Sequence, residues 1–287
     1  MRLASKGFKH ALAFWCLVTG LMGFVNAQPN DSSPCTRPLY LTFDTGHMGV
    51  ADDIARVLKQ QQVKATFFAA NEPTKVGEGS LGEHWAPWWR ERAAEGHALA
   101  SHTLDHVYWQ RDLPAGATET ASFQMRPSAG VQAGKSTVWT AQQYCKQIQA
   151  ASQRLTQITG QATLPLYRAP GGKTSKALLQ AAEQCGYRHV GWAPAGFLGD
   201  ELPSDRYPNT QLLNQALRHI RSGDILMAHL GIWSRQDPWA PAVLEPLLVG
   251  LKARGFCFKT LRDHPDYQGW IQAQSAGVNA IGASPVR

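Results

Sequence analysis

The chain has no block of Lys and Arg, no Cys-x-x-Cys pair, no internal repeat and little charge, with Asp, Glu, Lys and Arg making up 17 % of its 287 residues. Each absence closes off a class of function. Without a basic block, and with a net charge of only +7, nothing in the chain is fitted to follow a phosphate backbone, so no nucleic-acid partner is expected. Without Cys-x-x-Cys the common zinc-ribbon and dithiol redox motifs are excluded. Without a repeat the chain does not read as a solenoid or propeller. A long apolar run is missing too. The longest, residues 11–25, is interrupted by Gly20 and Gly23 and falls short of the roughly 20 residues that span a bilayer.

That same segment reads as an export signal. Residues 1–27 combine a basic start (Arg2, Lys6, Lys9), an apolar stretch and the small-residue site Val25-Asn26-Ala27, the pattern of a cleaved secretory signal. Its removal takes three positive charges and brings the net charge from +7 to +4. We expect a periplasmic or secreted protein with no stable membrane span after cleavage. Cys16 leaves with the signal, and Cys35, Cys145, Cys185 and Cys257 remain. An even number in an oxidising compartment predicts disulfides, with three possible connectivities. Cys35–Cys257, joining the approach to the first strand with the last strand, and Cys145–Cys185, joining two helices, is the pairing we favour.

The remaining residues fit one large α/β domain, 28–270, with residues 271–287 expected as a mobile tail. Short apolar runs alternate with helical periodicity. Strands are expected at Leu39–Phe43, Ala65–Ala69, Ala98–Ser101, Leu164–Tyr167, His189–Trp192, Ile225–Ala228 and Phe256–Thr260, with helices between them. Such alternation builds parallel strands covered by helices. About seven strands suggest a distorted (β/α) barrel, with an open doubly wound sheet as the alternative. Val107–Val138, which carries Pro114, Gly116, Pro127, Gly130 and Gly134, reads as a long irregular loop that could border a site.

Polar residues gather where these strands end. Asp44 closes the first run, His102 and His106 follow the third, Arg168 precedes Pro170-Gly171-Gly172, and His229 closes Ile225-Leu226-Met227-Ala228. In α/β barrels the C-terminal ends of the strands carry the chemistry. Two histidines four residues apart can face one ion if their segment opens a helix. Zinc held by neutral imidazoles lowers the pKa of a bound water and polarises a carbonyl.

With these motifs the chain resembles the polysaccharide deacetylase family, whose members share the NodB homology domain of the carbohydrate esterase family 4 type. Thr42-Phe43-Asp44-Thr45-Gly46 matches its T-F-D-D-G motif, His102-Thr103-Leu104-Asp105-His106 its H-[ST]-x-x-H, Arg168-Ala169-Pro170-Gly171-Gly172 its R-x-P-x-G, and Met227-Ala228-His229 its L-x-H. The resemblance spans roughly Pro38 to Leu261. It implies a divalent metal, expected to be zinc, on His102 and His106. It implies Asp44 as general base, His229 as the acid for the leaving amine, and Arg168 as the partner of Asp44. The substrate it implies is an acetylated polysaccharide or oligosaccharide, with N-acetyl groups of N-acetylglucosamine type favoured, acted on by a monomer.

Two departures stand out. The family's second Asp of motif one supplies the third metal ligand, and here Thr45 stands in its place. We expect His47 to substitute, because residues two apart along an extended segment project to one side, with Asp44 itself as ligand, or loss of the metal, as the alternatives. Family members also follow the Trp equivalent to Trp192 with acidic residues that orient the motif-three Arg. Here Asp200 would do so from a longer loop, with Pro170 shaping the turn after Arg168. Three rival readings remain open: a metal-free glycan-binding protein on this fold, a hydrolase of non-sugar amides, and a structural envelope protein. Eight aromatics near motifs and loops, Trp85, Trp88, Trp89, Tyr108, Trp109, Trp139, Trp233 and Trp239, could stack on sugar rings or simply fill the core.

Overall fold

A computed structural model of the chain describes residues 34–114 and 121–282, with side chains to residue 276. The signal sequence expected over residues 1–27 lies outside the described residues, as does the middle of the expected loop. Among the described residues no helix is long and apolar enough to cross a membrane.

The principal sheet has seven strands: β1 (Pro38–Asp44), β2 (Thr66–Ala69), β3 (Ala98–Ser101), β7 (Leu166–Tyr167), β8 (Arg188–His189), β9 (Ile225–His229) and β10 (Cys257–Phe258). All its ladders are parallel, in the order β10-β1-β2-β3-β7-β8, with β9 on β1. From Leu39 to Asp44 every residue of β1 is buried, as a strand covered on both faces requires. This is the α/β arrangement of a distorted barrel. β8 and β9 share no ladder among the described residues; the segment between them touches β9 through the bridge Phe197–Met227.

The covering helices are α1 (Ala51–Gln60), α2 (Ala86–Ala94), α3 (Ala141–Thr159), α4 (Lys176–Gln184), α5 (Asn209–His219) and α6 (Leu244–Ala253). In α1, Ile54, Val57 and Leu58 recur at helical spacing and are fully buried. Thr140 and Gln143 close a capping box at the start of α3, and Gly160, at φ 69°, ends it in the left-handed region where glycine carries no Cβ penalty. Both disulfides form as expected, Cys35–Cys257 with Cα atoms 5.8 Å apart and Cys145–Cys185 at 6.2 Å.

Two expectations are corrected. Val107–Val138 is not an irregular loop: its described residues form an antiparallel sheet of β4 (Val107–Leu113), β5 (Ser122–Pro127) and, with its last two residues, β6 (Thr137–Thr140). Pro114, Pro127, Gly130 and Gly134 lie at strand ends and in the connection between β5 and β6, and Phe123 and Met125 are buried under the sheet. Residues 283–287 lie outside the described residues, and the boundary expected at residue 271, from which a mobile tail is expected to run to 287, falls inside a helix, α7 (Pro265–Gly282). Its first turns are pinned to the barrel: Trp270 Nε1 donates to the Pro165 carbonyl at 2.9 Å, and Tyr267 and Ile271 pack on a core that includes Leu166 and Val190.

Candidate active site

The C-terminal ends of β1, β3, β7 and β9 bring the expected polar residues together. Asp44 and His229 are direct neighbours, paired in register on adjacent parallel strands. Beyond them the two strand ends touch at a pair of glycines. A Cβ on Gly46 would sit 2.1 Å from the Gly231 carbonyl oxygen, so the motif glycine is needed for the close approach of these two turns.

Asp44 is 3 % exposed. Arg168 donates from one Nη to Asp44 Oδ1 at 2.7 Å and to Thr42 Oγ1 at 2.9 Å. Its Nε and other Nη each donate to a carbonyl, of Val190 and Gly191. The guanidinium lies 4.2 Å from the Phe68 ring centre and 5.5 Å from that of Trp192. Burial would push the Asp44 carboxyl up, but Arg168, with His102 and His229, outweighs it and holds the group below its ordinary range. Pro170 is buried and opens a short 3-10 turn that carries the chain away from Arg168.

His229 has the opposite bias. Its backbone N–H and ring Nδ1 both meet the Asp200 carboxylate, at 2.7 and 3.1 Å. Burial would lower its pKa, but Asp200, then Asp44 and Glu201, overcome that and lift it to about 9. A carboxylate kept ionised beside an imidazole kept protonated is an arrangement that proton-transfer chemistry can use.

His102 and His106 face each other with ring centres 4.8 Å apart. They do not sit on a helix as expected. Thr103 and His106 have φ of 63° and 47°, and the segment is a tight turn closed by Val107 N–H donating to Thr103 Oγ1 at 2.8 Å. Each ring is oriented through Nδ1: His102 to the Arg168 carbonyl at 2.9 Å, and His106 to Ser128 Oγ at 2.6 Å. Among the described residues neither Nε2 has a hydrogen bond. This is the usual arrangement of metal-ligating imidazoles. Burial presses His106 down to about 4, so it is a neutral donor.

His47 does not join them, which corrects the expected three-histidine site. Strand β1 ends at Asp44, and the chain bends through Thr45 to Gly49, so the two-residue projection rule no longer applies. His47 Nδ1 accepts from Gly49 N–H at 2.9 Å, and the ring stands edge-on to Trp233 at 5.0 Å. It lines a small cleft of about 110 Å³ with Lys75, Asp200 and His229. Thr45 is also committed: its Oγ1 accepts from Ala70 N–H at 3.0 Å, and it is 1 % exposed. Among the described residues no three His, Cys, Asp or Glu side chains converge as a ready metal cluster. Asp200 is corrected too. It serves His229 and not Arg168, which donates instead to Asp44, Thr42 and two carbonyls.

Ser128, which supports His106 from a distant segment, carries no motif, and Thr42, although part of motif one, is not marked there as the partner of Arg168 that it is. The aromatics divide cleanly. Trp85, Trp88, Trp89, Trp139 and Trp239 are buried. Tyr108 and Trp109 line a cleft of about 570 Å³ with Arg126, Ser128 and Lys173, next to His106, whose ring Tyr108 meets edge-on at 4.9 Å. Trp233 is 64 % exposed.

Residues 31–190 match the polysaccharide deacetylase family. The chain belongs to that family. A chitooligosaccharide deacetylase of Azorhizobium caulinodans is 27 % identical over 235 residues, covering 78 % of this chain and 92 % of the relative. The peptidoglycan-N-acetylmuramic acid deacetylase PdaA of Bacillus subtilis is 24 % identical over 231 residues, covering 79 % and 71 %. A family 4 acetyl xylan esterase from Clostridium thermocellum, solved with a cobalt ion, superposes with a TM-score of 0.58 at 20 % identity, covering 81 % of this chain and 92 % of the esterase. That likeness shows the shared fold, and the family's chemistry is hydrolytic deacetylation of carbohydrate.

Proposed function

We propose that this protein is a periplasmic or secreted metal-dependent hydrolase that removes acetyl groups from an envelope or extracellular polysaccharide, chiefly N-acetyl groups of N-acetylglucosamine type. One observation carries the reading. A carboxylate held ionised by Arg168 and an imidazole held protonated by Asp200 stand side by side at the ends of β1 and β9. Asp44 takes a proton from the attacking water. His229 gives one to the departing amine. Arg168 keeps Asp44 ionised and aimed, and Asp200 keeps His229 charged.

His102 and His106 fit a divalent ion: each is held through Nδ1, and their Nε2 atoms are left to bind. The chemistry such an ion supplies is Lewis acidity toward the acetyl carbonyl and a lower pKa for a water molecule. The cleft of Tyr108, Trp109, Arg126 and Lys173 suits a sugar chain, since aromatic faces stack on pyranose rings. Two disulfides accord with an oxidising compartment.

A second reading, a metal-free glycan-binding protein on the same fold, is favoured by Thr45, whose oxygen is committed to the backbone. Acetate release from N-acetylglucosamine oligomers and from acetylated xylan, with zinc or cobalt supplied, separates the two. We expect release that Asp44→Asn and His229→Ala abolish. Binding of either glycan without release would establish the second reading. Activity on acetylated xylan alone would replace the N-acetyl assignment.

A further inference from the structure

The deacetylase reading leaves the metal one ligand short, because Thr45 stands where the family has a ligating Asp. We propose that Glu72 supplies that ligand when the ion binds, its carboxylate moving in from beside His106 Nδ1 to complete a site of His102, His106 and Glu72. This rests on the metal-dependent reading above and departs from the family's own ligand set.

Glu72 lies on the loop that leaves β2, two residues beyond Ala70, the residue whose N–H occupies Thr45. Its Oε1 is 3.8 Å from His106 Nδ1, and its side chain is 16 % exposed. Its Oε2 is buried with no hydrogen-bond partner among the described residues. A buried carboxylate oxygen without a partner is costly, and an ion is one of the few ways to satisfy it. Orienting His106 does not explain the carboxylate, since Ser128 Oγ already holds that Nδ1 at 2.6 Å.

The loop is fixed to the histidine turn. Asn71 N–H donates to the carbonyl of Leu104, the residue midway between the two histidines, at 2.6 Å. Glu72 N–H donates to Ser80 Oγ, and Ser80 N–H returns a bond to the Glu72 carbonyl, both at 3.0 Å. Two imidazoles and one carboxylate, with a position left open, form a common catalytic zinc set. The charge lost at Thr45 is thereby restored from the neighbouring strand's loop. The alternative carboxylate, Asp44, receives Arg168 on Oδ1; its Oδ2, 3.7 Å from His102 Nε2, is the oxygen the base role requires.

The test is metal affinity of the full chain, by chelator competition with zinc and by the visible spectrum of the cobalt-loaded protein. We expect the unsubstituted protein to bind one ion. Removing even an outer-shell partner costs about 10–100-fold, so Glu72→Gln is expected to weaken binding by more than about 100-fold and to change the cobalt spectrum. His47→Ala and Thr45→Val should bind as the parent does. Adding Thr45→Asp to Glu72→Gln should restore affinity.

A crystal of the zinc-loaded parent tests the same claim without a variant, with a Glu72 oxygen expected at roughly 2.0–2.2 Å from the ion. Parent-like binding by Glu72→Gln overturns the assignment and leaves the metal reading standing. A loss of affinity with an unchanged cobalt spectrum overturns it too, by placing Glu72 behind His106. A folded parent that binds no metal overturns both.

Discussion

Replacing Asp200 by Asn should move the alkaline limb of activity by more than two pH units. Asn keeps the size of the side chain and can still accept from the His229 N–H, but it removes the charge that lifts the imidazole. His229 now holds its proton up to about pH 9 against an ordinary 6.5. At about 1.36 kcal/mol per pKa unit that preference for the charged form is worth about 3 kcal/mol. Without Asp200, burial works against the charged form, and only Asp44 and Glu201 oppose it, so the pKa should fall to its ordinary value or lower. At about pH 7.5 the protonated fraction would then drop from nearly all molecules to about one in ten. The assay is kcat/KM for acetate release across roughly pH 5 to 10, which reports the free enzyme's acid and base. The substituted protein should lose activity above about pH 6.5 and keep most of it below. The sign follows from linkage: a raised folded pKa stabilises the protein fully below the unfolded pKa of 6.5, and that contribution fades as pH climbs through about 9. Thermal stability should therefore fall over the same interval in the parent and much less in Asp200→Asn. A uniform loss of activity with the limb still near pH 9 would refute the assignment of His229 as the acid.

The other partnerships make equally direct predictions. Arg168→Met leaves Asp44 buried without its counter-charge and should cost about 3–5 kcal/mol in urea unfolding; an unchanged midpoint would show that the pair contributes little. Asp44→Asn should lower kcat by about 10²–10⁴ with little change in KM, and a variant that keeps parental turnover would remove Asp44 from the base role. Ser128→Ala frees His106 Nδ1 and should weaken zinc about 10–100-fold, read by chelator competition. Replacing Cys145 and Cys185 with Ala opens a loop of 40 residues and should cost about 4 kcal/mol by the chain-entropy relation, lowering Tm by roughly 10 °C; a drop of a degree or two would mean that packing between α3 and α4 already supplies the constraint.

What the sequence disclosed and what it concealed separate along a physical line. Unbroken apolar runs in β1 and β3 and period-3.6 patterns in α1 and α3 persist through each element, so these were legible to within a residue or two. The antiparallel strands β4 to β6 were not, because their turns bring Pro and Gly into a segment that otherwise alternates buried and exposed only over short stretches. Helix α7 was hidden by its composition: residues 271–276 expose polar atoms and pack only Ile271 inward. The strand-end residues Asp44, Arg168 and His229 could be placed because parallel strands fix where each side chain emerges.

Ligands and partners supplied by loops escaped that rule. His47 lies three residues past the end of β1, and the bend at Gly46 turns it away, so a periodicity that holds inside a strand gave the wrong neighbour outside it. Asp200 was found, but its partner was inverted. The loop after Trp192 re-enters beside β9, where Leu198 N–H donates to the Met227 carbonyl at 3.1 Å, and that contact delivers Asp200 to His229. Glu72 reaches His106 in the same manner, through the Asn71–Leu104 hydrogen bond. In both cases one backbone hydrogen bond between loops distant in sequence decides which carboxylate meets which imidazole. Site geometry here is thus set by two such bonds as much as by the strands. It follows that Asn71→Pro, which removes the donor to Leu104, should weaken metal binding although residue 71 carries no ligand, and should leave the alkaline limb set by Asp200 where it is. A shift of that limb together with the loss of metal would mean that the two carboxylates belong to one coupled network rather than to two independent supports.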